Sequence, residues 1–367
     1  MGFKLAVNTR LLQQNKLEGI GRFTFENLKR MVNNHPEVEF HFIFDRGYHQ
    51  DFIFADNVKA HVLSPPTRHE ILQFYWFHIR LPKLLKKIKA DAFFSPEAYN
   101  IPNIGIPSFN TQHDLGFLHR PTDLPKSTLK FYQKYFPVYT KNACKVFTVS
   151  EYSKNDLIQQ YGINSEDIEV IYNGHEHILT GELKPIHDQA YFLYVGSLHS
   201  RKNILHTLKS FDEYKNQYGT DKQLLIVGRE MFSDKESELF YSSMKHRQDV
   251  IFTGYVSDAE LACYYHHADA LINLSYFEGF GIPLLEAFSH GIPVIASNCS
   301  CYPEIASDSA LLADPEDIES IAKNMHLITS DLELRKELIE KGLKNKERFS
   351  WNNSAEKIMN TILKYGT

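Results

Sequence analysis

The chain has 367 residues, 43% of them hydrophobic, and a formal net charge of −5, so it is long enough for two domains that each bury a core. The acidic balance, with a pI near 6.4, argues against nucleic acid as a general partner. Its four cysteines, Cys144, Cys263, Cys299 and Cys301, lack metal-ligand spacing and suit reduced thiols in a cytoplasm, and neither a secretory h-region nor an apolar run of membrane-spanning length is visible.

Residues 4–8 read as a first strand. The loop after it carries Gly19 and Gly21 ahead of a helix through Leu28 and Met31, and a glycine pair there either makes a turn or lets backbone amides approach a phosphate. Arg22 either meets an acceptor anion or caps the loop. Residues 38–44 and 58–63 are the second and third strands. Residues 71–89 are aromatic, then basic and amphipathic, with Pro82 expected to kink or divide them. Leu81, Leu84, Leu85 and Ile88 share one helical face, while Lys83, Lys86, Lys87 and Lys89 take the others. That pattern is either a solvated lysine face or a basic helix resting on an anionic membrane.

Residues 92–96 and 107–115 are further strands, the second running into His113-Asp114. A lone histidine is commonly structural, and adjacency alone leaves Asp114 either orienting the imidazole or contacting a ligand. Residues 145–150 form the next strand, with Ser150 and Ser153 available to cap the helix that follows. Residues 168–174 close the first half, and 174–188, with Gly, Pro and three histidines, are expected to be a linker.

The second half restarts with a strand at 191–195 and the turn Gly196-Ser197-Leu198-His199-Ser200-Arg201-Lys202-Asn203. Arg201 and Lys202 are either an exposed pair or the cations of a diphosphate site, Arg binding bidentately and Lys as a point charge. Strands follow at 224–228 and 251–256. The apolar run 270–274 then breaks into Glu278-Gly279-Phe280-Gly281-Ile282-Pro283-Leu284-Leu285-Glu286. Pro283 suits a first helical turn and Gly291 a helix end, so a helix over 283–290 leads into a strand at 293–296. This is a βαβ unit of a parallel sheet, whose ligands bind beyond the carboxyl ends of the strands. The amides of 282–285 are expected to point out of the helix start as an anion site. Glu286 is either a dipole-complementing residue or, with Glu278, a partner for vicinal hydroxyls. Residues 297–304 are expected to be a loop, 310–315 the last strand, and 316–364 tail helices.

Glu278, Gly279, Gly281, Pro283 and Glu286 together resemble the E-x7-E motif of retaining glycosyltransferases of family GT4. The glycine-rich first loop, the His-Asp-Leu-x-Phe-Leu-His run over 113–119, the Val-Ser-x-x-Ser segment and the Gly-x-Leu-x-x-x-Lys-Asn turn extend the resemblance over most of the chain. Ser197 departs from it, since family members often carry Arg there. The resemblance implies an α/β GT-B fold of two facing Rossmann-like domains with parallel sheets and an interdomain crevice. Its boundaries here are 1–173 for an acceptor-binding domain, 174–188 for a linker and 189–349 for a nucleotide-sugar-binding domain, with the final helix, 350–367, crossing back to the first.

The resemblance also implies the site. Donor contacts fall on Gly19, Gly21, Arg201, Lys202, Glu278, the 279–284 segment of Gly279, Phe280, Gly281, Ile282, Pro283 and Leu284, and Glu286, with Tyr255 and Val256 bordering the base. Acceptor contacts fall on Arg22, His113 and Asp114, and the catalytic set is His113, Glu278, Arg201 and Lys202. No Asp-x-Asp triplet occurs in the chain, so protein cations are expected in place of a metal and no cofactor is expected beyond the nucleotide-diphosphate sugar. The expected function is transfer of a hexose, mannose from GDP-mannose, to a glycan or lipid-linked acceptor in surface-polysaccharide synthesis, in the cytoplasm or at the inner face of the membrane. A UDP-sugar donor, an epimerase or hydrolase, and a non-catalytic nucleotide-sugar binding protein are the alternatives.

Overall fold

A computed structural model describes residues 2–14, 17, 19–175, 183–228 and 234–366. They form two compact units, Met1–Gly174 with Ser350–Thr367, and His175–Phe349. The expected linker runs partly over 176–182, outside the described residues.

The first unit is built on seven strands: β1 (Lys4–Asn8), β2 (Glu39–Phe44), β3 (Val58–Val62), β4 (Ala92–Ser95), β5 (Ser108–Thr111), β6 (Lys145–Thr148) and β7 (Ile168–Val170). All pair in parallel, in the order β3-β2-β1-β4-β5-β6-β7. Leu5, Ala6 and Val7 are fully buried, as expected for a parallel strand covered on both faces. Strand order reverses between β1 and β4, and the loops leaving those two strands diverge there. The helix Ile20–Asn34 buries Phe23, Leu28 and Met31. It packs against the C-terminal helix Trp351–Tyr365, whose Trp351, Ile358, Met359 and Ile362 are buried in the same unit.

Pro82 does not divide the basic segment. Helix Glu70–Tyr75 continues through a π turn, Trp76–Arg80, into helix Leu81–Ile88, where Pro82 sits in the first turn. The Leu81 N–H donates to the Trp76 carbonyl five residues back, so the hydrogen-bond register is already shifted where the proline lacks a donor.

The second unit has six parallel strands: β8 (Tyr191–Val195), β9 (Gln223–Val227), β10 (Val250–Gly254), β11 (Ala270–Asn273), β12 (Val294–Ser297) and β13 (Leu311–Ala313). Their order is β10-β9-β8-β11-β12-β13, with the reversal between β8 and β11. The anticipated βαβ unit is present: β11, the helix Ile282–Ser289, then β12 paired in parallel with β11. The segment expected to be a loop at 297–304 instead turns into a short helix, Tyr302–Ala306, that takes up Pro303 in its first turn. Helices Ile204–Tyr218, Lys235–Ser243, Asp258–His267, Ile318–Ser330 and Leu332–Asn345 also belong to this unit, and Lys126–Lys141 and Glu151–Tyr161 to the first. Among the described residues no helix is long and apolar enough to cross a membrane.

Candidate active site

In the second unit the loops leaving β8 and β11 meet at the point where strand order reverses. The β8 loop ends in a 3-10 turn, Ser200–Lys202, and the backbone N–H of Tyr276 on the β11 loop donates to the Arg201 carbonyl at 2.9 Å. The side chains converge as well. Lys202 Nζ lies 2.6 Å from Glu278 Oε1, and Arg201 Nη1 lies 2.6 Å from Glu278 Oε2. Arg201 Nη1 also donates to the Phe277 carbonyl at 2.7 Å. The Glu278 side chain is only 13% exposed. Burial works to raise its pKa, but the Lys202 and Arg201 charges outweigh it and bring the carboxyl down to about 2. Three residues that the motif treats as separate contacts are therefore one ion-paired triad carrying a net positive charge.

Glu278 is held by its backbone too. Its N–H donates to Ser300 Oγ at 3.0 Å, and that hydroxyl donates to the Glu278 carbonyl at 2.6 Å. Lys202 runs along Gly196, whose missing Cβ would stand 3.6 Å from Lys202 Cε. Ser197 is exposed beside it, so no cation stands at that place in the turn.

The helix start differs from expectation in detail. Gly281 is its N-cap at φ 94°, and a Cβ there would stand 2.8 Å from the Tyr302 ring, which makes glycine necessary on both counts. Of positions 282–285, Pro283 has no N–H and the Leu284 N–H donates to the Gly281 carbonyl at 3.0 Å. The anion site is thus narrower than four free amides. Glu286 lies in the second turn, and its Oε2 accepts a 2.7 Å hydrogen bond from the buried Tyr265 hydroxyl. Tyr265 in turn stacks on His290, ring centroids 5.6 Å apart. Tyr255, just beyond β10, is 76% exposed, with Val256 half-buried next to it.

The first unit holds the residues expected to contact an acceptor, Arg22, His113 and Asp114, and the two glycines expected on the donor side, Gly19 and Gly21. Gly19 caps the helix Ile20–Asn34 with φ 43°, Gly21 is buried in its first turn, and Arg22 is half-buried and makes no ion pair among the described residues. Glu18 lies outside the described residues. Phe23, next in sequence, meets the His113 ring edge-on at 4.8 Å. His113 Nε2 donates to the Pro96 carbonyl at 3.0 Å. That bond leaves Nδ1 as an acceptor, and it has no partner among the described residues. Burial lowers the His113 pKa and keeps the ring neutral. Asp114 does not orient the imidazole. Its Oδ1 accepts from the Gly116 N–H at 2.8 Å, an Asx-type turn that shapes the loop.

One cluster escaped the sequence. Where β1 and β4 diverge, Arg10 and Glu97 form a two-pronged ion pair. Glu97 also accepts from Asn8 Nδ2 at 2.6 Å, and the Arg10 guanidinium lies 4.8 Å from the Tyr99 ring centroid. Burial opposes the Arg10 charge, but Glu97 outweighs it and raises the pKa. Glu97 follows the proline that holds His113, so the pair fixes the segment carrying that carbonyl. Partners 87 residues apart leave no local pattern. The available signal was their shared position, just after two parallel strands at a reversal of strand order.

Two Rossmann-like units with parallel sheets of seven and six strands make up an α/β architecture of the GT-B class, shared with the solved structures named below. The profile of the family described as "Glycosyl transferases group 1" matches residues 180–345, and that of "Glycosyltransferase Family 4" matches 17–177. Between them they account for most of the chain, which belongs to this glycosyltransferase family and is an enzyme of that class. It is similar to an O-antigen chain mannosyltransferase B of Escherichia coli, 26% identical over 94% of this chain and 95% of the other. It is also similar to the O-antigen chain mannosyltransferase RfbU of Salmonella typhimurium, 31% identical over 57% of each chain. Among solved structures, sucrose-phosphate synthase from Thermosynechococcus elongatus shares the fold with a TM-score of 0.77, at 16% identity over 99% of this chain and 98% of that one. WaaG, a glycosyltransferase of lipopolysaccharide biosynthesis, does so with a TM-score of 0.74, at 17% identity over 98% and 99%.

Proposed function

We propose that this enzyme is a retaining mannosyltransferase that moves mannose from GDP-mannose to a glycan or lipid-linked saccharide during surface-polysaccharide synthesis in the cytoplasm. The observation that carries the reading is the Lys202–Glu278–Arg201 triad where β8 and β11 diverge. Departure of the nucleotide diphosphate builds negative charge on the leaving group. Two cations held in place beforehand stabilise that charge more in the transition state than in the ground state.

Each residue then has a task. Lys202, Arg201 and the start of the Ile282–Ser289 helix receive the diphosphate. Glu286, held by Tyr265, takes the ribose hydroxyls, and Tyr255 with Val256 borders the base. Glu278 and the 279–281 backbone take the donor sugar, which is attacked on the face the nucleotide leaves, without a covalent intermediate. His113 Nδ1 accepts a hydrogen bond from the acceptor, with Arg22 and Asp114 as further acceptor contacts, while the backbone at Gly19 and Gly21 contacts the donor. Protein cations serve in place of a divalent metal, and no further cofactor takes part. The mannose assignment is supported by the names of the two relatives above.

Thermal unfolding with GDP, UDP, ADP and dTDP, each with and without EDTA, tests this. A nucleotide at a hundred times its dissociation constant stabilises by about 2.7 kcal/mol. A GDP-only, EDTA-resistant shift that disappears in Lys202→Ala is the expected result. A UDP-only shift replaces the donor, an EDTA-sensitive one brings back a metal, and no shift with any nucleotide removes the donor site. Release of free mannose from GDP-mannose and water alone, with no gain from acceptor glycans, makes the protein a hydrolase.

A further inference from the structure

The chain is acidic as a whole, yet residues 71–90 and 126–142 contain no Asp or Glu and carry nine Lys and Arg between them. These stretches form the helices Glu70–Tyr75 and Leu81–Ile88, joined by the π turn, and the helix Lys126–Lys141. Elsewhere in the first unit Arg10, Arg30, Arg46, Lys59, Arg120 and Lys145 are ion-paired, whereas Arg22, Lys29 and Arg68 form no ion pair among the described residues. Among the described residues none of Arg80, Lys83, Lys87, Lys130, Lys134 or Lys141 forms an ion pair. Positive charge is thus concentrated on one pair of helices, and these six side chains have no counter-charge within ion-pair distance among the described residues.

The two helices run side by side in the same direction. Thr128 donates to Glu70, the Phe74 and Tyr135 rings lie 5.5 Å apart, and His78 Nε2 lies 2.8 Å from the Tyr139 hydroxyl. The contact rows are thus 70/74/78 on one helix and 135/139 on the other. At about 100° per residue, positions one later on the first helix and one earlier on the second lie on the same side of the pair. Those positions are Ile71, Tyr75 and Ile79, and Lys134 and Val138, all exposed, with Ile71 at 82%. Continuing in steps of four, the first row reaches Lys83 and Lys87 and the second reaches back to Lys130. A four-residue row drifts around an α-helix, and the single wider π turn takes much of that drift back.

We infer that this two-helix face docks the enzyme on an anionic lipid bilayer, the apolar residues entering the headgroup boundary and the lysines meeting lipid phosphates. A row of exposed Ile and Tyr beside uncompensated lysines has the composition of an interfacial helix pair. The apolar residues are exposed next to lysines without ion-pair partners, Ile71 at 82% and Ile79 at 42%, and that charge complements a plane of anionic headgroups. The surface gives the proposed transferase access to a lipid-linked acceptor and rests on that reading only for its purpose. The docking is measured without donor or acceptor.

Co-sedimentation of the whole protein with vesicles of phosphatidylcholine alone, or mixed with phosphatidylglycerol, tests it at low and high salt. Binding is expected only to the anionic vesicles and to weaken with salt. Each lysine removed should weaken it about fivefold, so the Lys83→Ser, Lys87→Ser, Lys134→Ser triple variant should bind about a hundredfold less tightly. Ile71→Ser with Ile79→Ser should also reduce it. All these residues are exposed, so the unfolding midpoint and the nucleotide shift should not change, and a lost nucleotide shift would concern the donor site instead. Equal binding to neutral vesicles, undiminished binding by the triple variant, no binding to either vesicle, or binding to RNA or heparin without binding to vesicles each overturns the assignment.

Discussion

At the scale of single residues, one carboxylate shared by two cations sets the Lys202–Glu278–Arg201 triad apart from an ordinary salt bridge. Glu278 compensates two partly buried cations, Arg201 at 30% and Lys202 at 15% exposure, and Glu278→Gln leaves both without a counter-charge. Removing one partner of a fully buried pair costs about 3–5 kcal/mol, and solvent screening of the partly exposed cations reduces it, so unfolding by denaturant should show a loss at or below the low end of that range. A nucleotide diphosphate brings negative charge back to Lys202 and Arg201. The variant should therefore gain more thermal stability from saturating nucleotide than the unaltered enzyme does, and an equal or smaller gain would count against a diphosphate at these cations. Glu278, Arg201 and Lys202 were all legible in the sequence as a motif. Their mutual pairing was not, because 76 residues separate Arg201 from the Phe277 carbonyl it also holds. Arg10 and Glu97 were not legible at all, belonging to no local pattern.

At the scale of elements, the short helix Ile282–Ser289 owes its position to one glycine. Gly281 needs φ 94° and faces the Tyr302 ring, whose hydroxyl donates to Asn273 Oδ1 at 2.7 Å at the end of β11. Gly281→Ala should cost about 1–3 kcal/mol through backbone strain alone, with the ring contact added, and should weaken nucleotide binding by moving the helix start. Gly47→Ala, where a Cβ meets nothing within 4 Å, is the control expected to change neither unfolding nor binding. The strands were readable from apolar runs bounded by Gly and Pro. Helices such as Asp258–His267 were not, because His266 and His267 interrupt an apolar stripe that packs only through Ala262 and Tyr265.

At the scale of the whole molecule, the second unit carries two groups that make it sensitive to acid. Burial first, then His266 and Lys346, lowers the His290 pKa from 6.5 to about 4, and Glu278 is lowered from 4.5 to about 2. In each window the unfolded chain holds the extra proton, so stability falls as pH falls, from 6.5 towards 4 for His290 and from 4.5 towards 2 for Glu278. The Glu278 window alone is worth on the order of 3 kcal/mol. Calorimetry should show the transition of the 175–349 unit dropping through both windows, with His290→Phe flattening the upper one and Glu278→Gln the lower. A transition insensitive to pH over these ranges would refute both assignments.

The strands in chain succession, the βαβ unit around Glu278 and the residue types able to meet a diphosphate follow from the sequence by itself. Local periodicity, glycine and proline placement and motif spacing are written within a few residues of one another. Only the tertiary structure decides that Arg201 and Lys202 share Glu278, that Tyr265 holds Glu286, that a carbonyl rather than Asp114 orients His113, and that the helices over 70–88 and 126–141 lie side by side. Each of those depends on strand order and helix packing, which bring together residues tens of positions apart and so leave no trace in local spacing.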